Sequence, residues 1–311
     1  MKTYNNIIVT GSVAFDEIMD FPGQFVDHFH PEKLHQINIS FVVDRLEKQL
    51  GGIATNIAYN ASLFARGKVK ILSGVGKDGD QFLTFYKEHG IDASGMIVDN
   101  TLYTSTGKVI TDKKDNQIWG FYYGALSKTK DIEWSKHISS NDFIIISPTH
   151  VDAFLSVQKY AIEHHIDYMY DPGMALTWIT EQDLAAGIDN CTYLIGNDYE
   201  IAQIQKRLGI TAIDLLNKGI SIITTLGAQG AQYVQGSKTV TVSSYKDTKV
   251  VDPTGAGDAW RGAFVTGLLD GSDIETTMKK ANATASFAVE QYGTVNHKPT
   301  KEQIEERMKK L

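Results

Sequence analysis

The sequence predicts an α/β fold in which a mainly parallel sheet is covered by helices on both faces. Short apolar segments alternate along the chain with amphipathic stretches of helical length. Strands that are apolar along almost their whole length are typical of parallel sheets buried on both sides. The predicted strands lie at residues 7–10, 69–73, 143–147, 168–171, 193–196 and 220–225.

The composition indicates a folded enzyme rather than a disordered or polymer-binding protein. The 311 residues are 42% hydrophobic and 22% charged, which is enough to bury a large core, either as one α/β domain or as a domain with an attachment. Six prolines and no low-complexity tract argue against disorder. The net charge of −7 provides no basic surface for nucleic acid, so small-molecule partners are expected.

The sequence contains no sign of a membrane span or of a disulfide. Cys191 is the only cysteine and has no partner within the chain. Nowhere do about 18 apolar residues run together, and the apolar run before Thr10 is too short for a secretory signal. We therefore expect no membrane partner and a cytoplasmic location.

Polar residues and a glycine follow several predicted strands. They are Asp16, Asp171, Asn197 and Gly227. Ligands of open α/β sheets bind at the carboxyl ends of the strands, which meet at one edge of the sheet. These residues are therefore predicted to gather at that edge.

The most informative motif is DPTGAGD at residues 252–258, followed by an apolar helical pattern at 259–269. A glycine-rich turn that opens a helix leaves backbone N–H groups free at the positive end of the helix, where a phosphate group is stabilised. A carboxylate beside that site, Asp258, suits removal of a proton from an incoming hydroxyl. The alternative is an ordinary turn with an aspartate cap.

A second glycine pair precedes another helical pattern, in GGIATNIA at residues 51–58. Gly51 and Gly52 allow the backbone to approach a ligand closely, and Asn56 offers a donor and an acceptor one turn later. The alternative is a turn followed by a buried helix of small residues.

These two motifs, about two hundred residues apart, resemble the signatures of the ribokinase-like (PfkB) family of carbohydrate and nucleoside kinases. Residues 11–16, 197–200 and 225–227 also resemble family segments that contact sugar, magnesium and nucleotide. The resemblance implies a three-layer α/β/α sandwich with a small β-sheet lid, and an ATP-dependent kinase.

A closer resemblance is to the bacterial adenosine kinases of this family, through residues 19–23, 34–44 and 121–125. It implies transfer of the γ-phosphoryl group of ATP to the 5′-hydroxyl of adenosine, giving AMP and ADP, as in purine salvage. A ribokinase- or fructokinase-type sugar kinase, another purine nucleoside kinase, and a non-catalytic nucleoside sensor stay open as alternatives. The intact Asp258 and its glycines favour catalysis over sensing.

Two segments with strand-like alternation and aromatic residues interrupt the α/β pattern. Residues 15–44 and 102–124 are assigned to the lid, and residues 1–14, 45–101 and 125–311 to the large domain. Alternate residues are apolar at 37–43, which predicts a two-faced strand. The alternative is an edge strand of the main sheet. A homodimer through the lid is an open hypothesis that the resemblance suggests.

The resemblance implies a role for each residue that matches a family motif. Asp258 is the general base, and the amides of Gly255, Ala256, Gly257 and Asp258 form the anion hole. Asp16, the Gly52 backbone and Asn56 clamp the ribose diol. The other expected acceptor contacts are Ser12, Ser40 and Phe121.

The resemblance also implies contacts with the nucleotide and its metal ion. Glu200 is expected to hold a hydrated Mg²⁺ ion with help from Asn197. Each of these two residues could equally be a helix cap or a first-turn acid. The expected nucleotide contacts are Asn197, Thr225, Gly227 and Asn282.

Two features depart from the family pattern or stay open. Carbonyls near Asp252, Thr254, Ala288, Gln291 and Gly293 match positions where relatives bind potassium, so K⁺ is an open cofactor. The expected glutamine after residues 171–172 is replaced by 173–175, GMA, and 107–108 lacks an aromatic residue for base stacking. Phe121 is then the main stacking candidate, with Tyr103, Trp119 and Tyr123 as substitutes.

Overall fold

The computed structural model describes residues 2–29, 38–114 and 116–311. In these ranges the chain forms two larger sheets and a set of helices packed on the larger one. The strands are β1 (Ile7–Thr10), β2 (Ala14–Asp20), β3 (Arg45–Gly51), β4 (Val69–Leu72), β5 (Gly74–Val75), β6 (Ile91–Asp92), β7 (Ile97–Val98), β8 (Ser105–Thr111), β9 (Gln117–Tyr122), β10 (Phe143–Ile146), β11 (Tyr168–Tyr170), β12 (Tyr193–Asn197), β13 (Ser221–Thr225), β14 (Ala231–Gln235) and β15 (Lys238–Val242). The helices are α1 (Ile53–Ser62), α2 (Asp80–His89), α3 (Val151–Glu163), α4 (Glu181–Asp189), α5 (Asp198–Leu208), α6 (Ala212–Asn217), α7 (Ala256–Asp270), α8 (Ile274–Ala288) and α9 (Lys301–Met308).

The main sheet has nine strands in the order β15-β14-β13-β12-β11-β10-β1-β4-β6. The strands from β13 to β6 run parallel to one another, whereas β14 and β15 form an antiparallel edge. The six strands predicted from apolar segments are all present as β1, β4, β10, β11, β12 and β13. The mainly parallel sheet is therefore confirmed.

Alternate residues of the main sheet enter two separate cores. Ile7 and Val9 pack with α1, α2, α7 and α8 on one face. Ile8 packs with α3, α4, α5 and α6 on the other face. Because side chains along a strand point to opposite faces in turn, this alternation places a helical layer on each side. The predicted three-layer α/β/α sandwich is confirmed.

A four-stranded sheet, here called the small sheet, has the order β3-β2-β8-β9. β2 pairs antiparallel with β3 and parallel with β8, and β8 pairs antiparallel with β9. β3 belongs to this sheet, whereas the predicted boundary between 44 and 45 assigned it to the large domain. The reason is that β3 pairs with β2 along all seven residues before the chain turns into α1.

The strand predicted at residues 37–43 differs from what the structure shows. Ile37 lies outside the described residues, and residues 38–43 form no strand. Phe41 packs instead against Phe21 and Phe25, with ring centroids 4.7 and 5.1 Å apart. The alternating apolar pattern thus serves an aromatic cluster, and the strand begins only at Arg45.

Cys191 is a buried free thiol. Within the three described ranges, every helix lacks the length or the hydropathy that crossing a bilayer requires.

Candidate functional site

The carboxyl ends of the central strands meet at one edge of the main sheet. Ser12 follows β1, and its backbone N–H donates to the carbonyl of Pro148, which follows β10, at 2.9 Å. Asn197, the last residue of β12, is paired in register with Thr225, the last residue of β13. The structure therefore brings the predicted residues Ser12, Asn197 and Thr225 to the same edge.

The N-terminus of α7 is held above this edge by a tight turn. Gly255 has φ of 78°, and a Cβ there would lie 2.9 Å from a methyl carbon of Thr294. The Asp252 carboxylate accepts hydrogen bonds from the backbone N–H groups of Thr254 at 2.9 Å and Gly293 at 3.1 Å. Only glycine adopts this backbone conformation without strain, and Asp252 ties the turn to the segment before α9.

The first turn of α7 leaves backbone amides available. The N–H of Ala256 donates to the Pro253 carbonyl at 3.3 Å, so it is already used within the turn. The amides of Gly255, Gly257 and Asp258 have no protein acceptor in the part of the chain that the structure describes. Three of the four predicted anion-hole donors are thus available, whereas the Ala256 N–H stabilises the turn instead.

Asp258 lies beside Asn56 at this helix end. The Asn56 side-chain N–H donates to the Asp258 carboxylate at 2.8 Å, which joins α1 to α7. Burial raises the pKa of Asp258 to about 6, against the opposing effect of the Arg261 guanidinium. The Asn56 Oδ1 atom is buried and has no hydrogen-bond partner among the described residues. A ligand hydroxyl at this position would satisfy it.

The turn before α1 depends on a glycine with positive φ. Gly52 has φ of 85°, and a Cβ there would lie 2.7 Å from the Ala14 nitrogen. The Ile53 N–H donates to the Ser12 hydroxyl at 3.1 Å. Ser12 therefore supports the N-terminus of α1, which is a structural use of its side chain beside the predicted acceptor contact.

Asp16 is the second carboxylate of the site and comes from β2 of the small sheet. Burial raises the pKa of Asp16 to about 6, and the nearby Asp258 carboxylate adds to the increase. A Cβ on Gly51 would collide with the Asp16 carboxylate. The predicted residues Asp16, Asn56 and Asp258 are thus brought together from three different elements.

A row of residues crosses the small sheet from Asp16 to Phe121. Asp16 pairs with Gly107, and Gly107 pairs with Phe121. Phe121 is 45% exposed, and its ring packs edge to face on Tyr123 at 5.2 Å. The Tyr123 ring in turn contacts His150 at 5.4 Å. An aromatic wall therefore begins beside Asp16, and Gly107 keeps its centre free of a side chain.

Asn197 and Glu200 form a reciprocal capping box at the start of α5. The Glu200 N–H donates to Asn197 Oδ1, and the Asn197 N–H donates to Glu200 Oε2, each at 2.8 Å. The structural alternative kept open for this pair is therefore what the structure shows. The capping bond uses one oxygen of Glu200, so the other is the candidate ligand for a hydrated ion.

The described residues contain no cluster of three His, Cys, Asp or Glu side chains that could hold a metal ion by themselves. Glu200 lies near enough to influence the charge of Asp258. Few donor groups are present, which fits a Mg²⁺ ion bound mainly by nucleotide phosphates and water. In such sites Mg²⁺ keeps several waters and binds only one or two carboxylates.

Two predicted contacts lie elsewhere or have other partners. The Asn282 amide donates to the carbonyls of Val242 and Ser243 at 2.8 and 2.9 Å, and its oxygen accepts from the Trp260 indole at 2.7 Å. Both N–H groups are therefore used on the protein, and Asn282 anchors the segment after β15. Ser40 is exposed in the segment 38–43, and no hydrogen bond of the described residues joins it to the site.

Gly227 lies where an approaching ligand would meet no side chain. It follows β13, has φ of 55°, and a Cβ there would meet nothing within 4 Å. The two segments assigned to a K⁺ site lie together. The N–H groups of Val251 and Asp252 donate to the Val289 carbonyl at 2.7 and 3.1 Å.

A buried ion pair beside Asp258 was not predicted from the sequence. Arg261 donates through Nη2 to Asp171 Oδ1 at 2.8 Å, and its Nε lies 2.7 Å from Oδ2. Both side chains are almost fully buried. The signal was present, because an arginine inside the apolar pattern 259–269 requires a buried partner, and Asp171 follows a strand that ends at the same edge.

Comparisons with known proteins give the family. The profile of the pfkB family of carbohydrate kinases matches residues 10–301. A nucleoside kinase of Methanothermobacter thermautotrophicus is 28% identical over 303 residues, covering 96% of this chain and 94% of that protein. The ribokinase of Bacillus subtilis is 29% identical, with 82% and 86% covered.

A solved structure agrees with both the fold and the relatives. The nucleoside kinase of Burkholderia thailandensis in complex with inosine superposes with a TM-score of 0.86 at 25% identity, covering 98% of this chain and 96% of that one. The same kinase with ADP and inosine gives 0.83 at 26% identity, with 98% and 95% covered. The chain belongs to the pfkB family of carbohydrate kinases and is a phosphotransferase that acts on a hydroxyl group.

Proposed function

We propose that the protein transfers the γ-phosphoryl group of ATP to the 5′-hydroxyl of a ribonucleoside, with adenosine as the first acceptor to test. The observation that carries this proposal is the grouping at the start of α7. A carboxylate, Asp258, lies there beside free backbone amides and the unpartnered Asn56 Oδ1. A base next to an anion site is the arrangement that phosphoryl transfer to an alcohol requires.

Asp258 takes the proton from the acceptor hydroxyl while that oxygen bonds to the γ-phosphorus and ADP leaves. Its pKa of about 6 leaves the carboxylate mostly ionised at pH 7 and still close enough to neutrality to accept a proton. The free amides of Gly255 and Gly257 donate to the phosphoryl oxygens as charge develops on them. Removing one such donor typically costs about 3 kcal/mol in the barrier.

The acceptor sugar is held by groups on both sides of the base. The Asp16 carboxylate accepts hydrogen bonds from two neighbouring ribose hydroxyls, and Asn56 Oδ1 accepts one more from the same diol. Because the Asp16 and Asp258 carboxylates lie close enough to repel each other, they would also repel a negatively charged acceptor. A neutral nucleoside or sugar suits the site better than a sugar phosphate.

The aromatic wall of the small sheet supports a nucleoside rather than a free sugar. Phe121 is exposed beside the row that contains Asp16, which leaves its ring face free to stack on a base. The inosine bound to the Burkholderia relative favours a purine, and the Bacillus relative keeps ribose as the second candidate acceptor.

The cofactors follow from the donor groups that remain. Glu200, with one oxygen outside the capping box, holds hydrated Mg²⁺, which supplies neutralising charge on the ATP phosphates when bound. Thr225 and the open backbone at Gly227 contact the nucleotide. The carbonyls around 252–254 and 288–293 are the candidate K⁺ ligands, and activity with and without K⁺ tests them.

A homodimer through the small sheet is a further part of the proposal. Ile118 and Tyr122 of β9 are 39% and 46% exposed, and they lie on the face of the small sheet opposite Phe121. Exposed apolar side chains that share one face of a sheet are typical of interaction surfaces. Light scattering that gives a 34.4 kDa particle at working concentration would contradict the dimer.

The function is tested by ADP release from Mg-ATP with adenosine, inosine, guanosine, cytidine, ribose and fructose as separate acceptors. Turnover with a purine nucleoside at least tenfold above that with ribose supports the proposal. Preference for ribose or fructose moves the protein to the sugar kinases. Nucleotide binding without turnover on any acceptor favours a nucleoside sensor.

A further inference from the structure

Arg261 is a buried cation one turn along α7 from Asp258. Residues three apart on a helix lie on the same face, so the guanidinium and the carboxylate are neighbours. Arg261 is 7% exposed and Asp171 is 3% exposed. Arg261 Nη2 donates to Asp171 Oδ1, and Nε lies 2.7 Å from Oδ2 as an ion-pair contact. Asp171 also accepts from the Ser147 hydroxyl at 3.3 Å, so the carboxylate that orients the guanidinium is itself held in place.

In this orientation the third guanidinium nitrogen, Nη1, lies beside the first turn of α7. A Cβ on Gly257 would lie 2.8 Å from Arg261 Nη1. The lack of a side chain at Gly257 therefore gives the guanidinium room beside the amides that form the anion hole. Asp171 occupies the other edge of the guanidinium, so Nη1 is the nitrogen that faces the reacting groups.

Charged groups face Asp258 from four elements. Asp16 comes from β2, Asp171 follows β11, Glu200 comes from α5, and Arg261 comes from α7 itself. Asn56 from α1 adds a neutral donor. Arg261 is the one cation in this set, against three carboxylates besides that of Asp258. Without it, burial and the like charges would together favour the protonated form of Asp258.

We propose that Arg261, anchored by Asp171, is a positioning residue that keeps the Asp258 carboxylate ionised and places positive charge beside the transferred phosphoryl group. The inference rests on the proposed function, and it adds that the Arg261–Asp171 pair sets the pH range of the reaction. Asp171 acts through Arg261, because it holds the guanidinium in place and keeps it from pairing directly with Asp258.

The test is the pH dependence of kcat/KM for ADP release in the wild type and in the double variant Arg261→Gln/Asp171→Asn. The two amides replace the ion pair by a neutral hydrogen-bonded pair, so no buried charge is left without a partner. An opposite charge nearby lowers an aspartate pKa by about 1–3 units, and Arg261 outweighs Asp171 in its effect on Asp258. We expect the acid limb of the kcat/KM profile to move to higher pH by about one unit. Above that limb, kcat/KM should be largely restored.

Two further proteins control for folding and for general loss of a buried cation. Arg261→Lys keeps the charge but loses the planar guanidinium that Asp171 orients, and a smaller upward shift of the acid limb is expected. Lys280→Gln removes a buried cation that lies 3.3 Å from Asp270 on the far side of α7 and α8, and it should leave the limb in place. A uniform loss of rate at every pH, with the limb unmoved in the double variant, would overturn the proposal.

A second readout does not need turnover. Carbon-13 NMR of aspartate-labelled protein follows the titration of Asp258 directly in the wild type and the double variant, with Asp258→Asn to assign the signal. An upward shift of the Asp258 titration supports the role of Arg261 even if every acceptor fails. An unshifted titration contradicts it even if the enzyme is an active nucleoside kinase.

Discussion

The two sides of the site are built differently. The side on the main sheet is buried and cross-linked, since α1 and α7 are joined by the Asn56–Asp258 hydrogen bond and α7 is tied to β11 by Arg261 and Asp171. The side on the small sheet is open, and all six residues of β9 are exposed. Under the proposed function, this contrast places phosphoryl transfer where packing fixes the geometry and acceptor choice on a surface that tolerates substitution.

The largest effect is expected on the buried side, from Asp258→Asn. The amide keeps the shape of the carboxylate and can still accept from Asn56, but it cannot take the proton of the acceptor. Loss of a general base costs roughly 10²- to 10⁴-fold, so kcat for ADP release should fall by that factor. Affinity for ATP, measured by calorimetry, should stay within about twofold.

The matched control is Asp270→Asn at the other end of the same helix, where the carboxylate is 61% exposed and lies 3.3 Å from Lys280. Its kcat should remain close to that of the wild type. Equal turnover in Asp258→Asn and the wild type would remove Asp258 from the mechanism.

The next effect tests the junction between the two sides. In Gly51→Ala the new methyl group collides with the Asp16 carboxylate, which must then move out of the acceptor position. A hydrogen bond to a charged group is worth about 1.5–3 kcal/mol, so loss of the acceptor's contact with Asp16 should raise KM for the acceptor roughly 10- to 100-fold. Gly120→Ala on β9, where a Cβ would meet nothing within 4 Å, is the control. Similar KM values in the two variants would contradict the placement of Asp16.

A smaller effect concerns the free energy of unfolding, which is lowered by burial of the Asp16 carboxylate. Because the folded-state pKa of Asp16 is raised from 3.8 to about 6, folding favours its protonated form, and that stabilisation is lost as pH rises through about 6. The free energy of unfolding of Asp16→Asn, measured in urea, should therefore exceed that of the wild type by about 3 kcal/mol at pH 8, with no gain below pH 4.

The control for this measurement is Asp44→Asn, an exposed carboxylate that follows the aromatic segment. It should change the free energy of unfolding little at either pH. A loss of stability in Asp16→Asn at pH 8 would show that the carboxylate is stabilised in the fold and that its pKa is not raised.

The smallest effect is expected on the open side. Phe121 and Tyr122 are neighbours on β9 with almost equal exposure, 45% and 46%, but they point to opposite faces of the small sheet. Phe121→Ala should raise KM for a purine nucleoside about tenfold through loss of stacking worth about 1.4 kcal/mol, with kcat unchanged. Tyr122→Ala should leave KM unchanged. The reverse ranking in steady-state kinetics would place the base on the other face.

The sequence was sufficient for the main sheet and for the grouping around Asp258. Apolar strands and glycine turns are local patterns, so six strands and the start of α7 could be predicted from neighbouring residues alone. The pair Arg261–Asp171 joins residues 90 positions apart, and only the fold shows which buried carboxylate serves the arginine.

The small sheet was harder to predict for a physical reason. Its edge strand β9 is exposed along its whole length and the other edge strand, β3, is partly exposed, so burial on one face marks these strands only weakly. The apolar alternation at 38–43 could therefore indicate either a strand or the cluster of Phe41 with Phe21 and Phe25. Asn282 shows a related limit. The sequence does not distinguish a helical asparagine that binds a ligand from one that, as here, donates to two backbone carbonyls.

The most direct test of the division between the two sides is the ratio of kcat/KM for a purine nucleoside to that for ribose, measured in Phe121→Ala and Gly255→Ala. Gly255→Ala strains the turn that opens the anion hole, so it should slow both acceptors equally and leave the ratio as in the wild type. Phe121→Ala should lower the ratio about tenfold. A ratio that changes in Gly255→Ala, or stays constant in Phe121→Ala, would contradict the account.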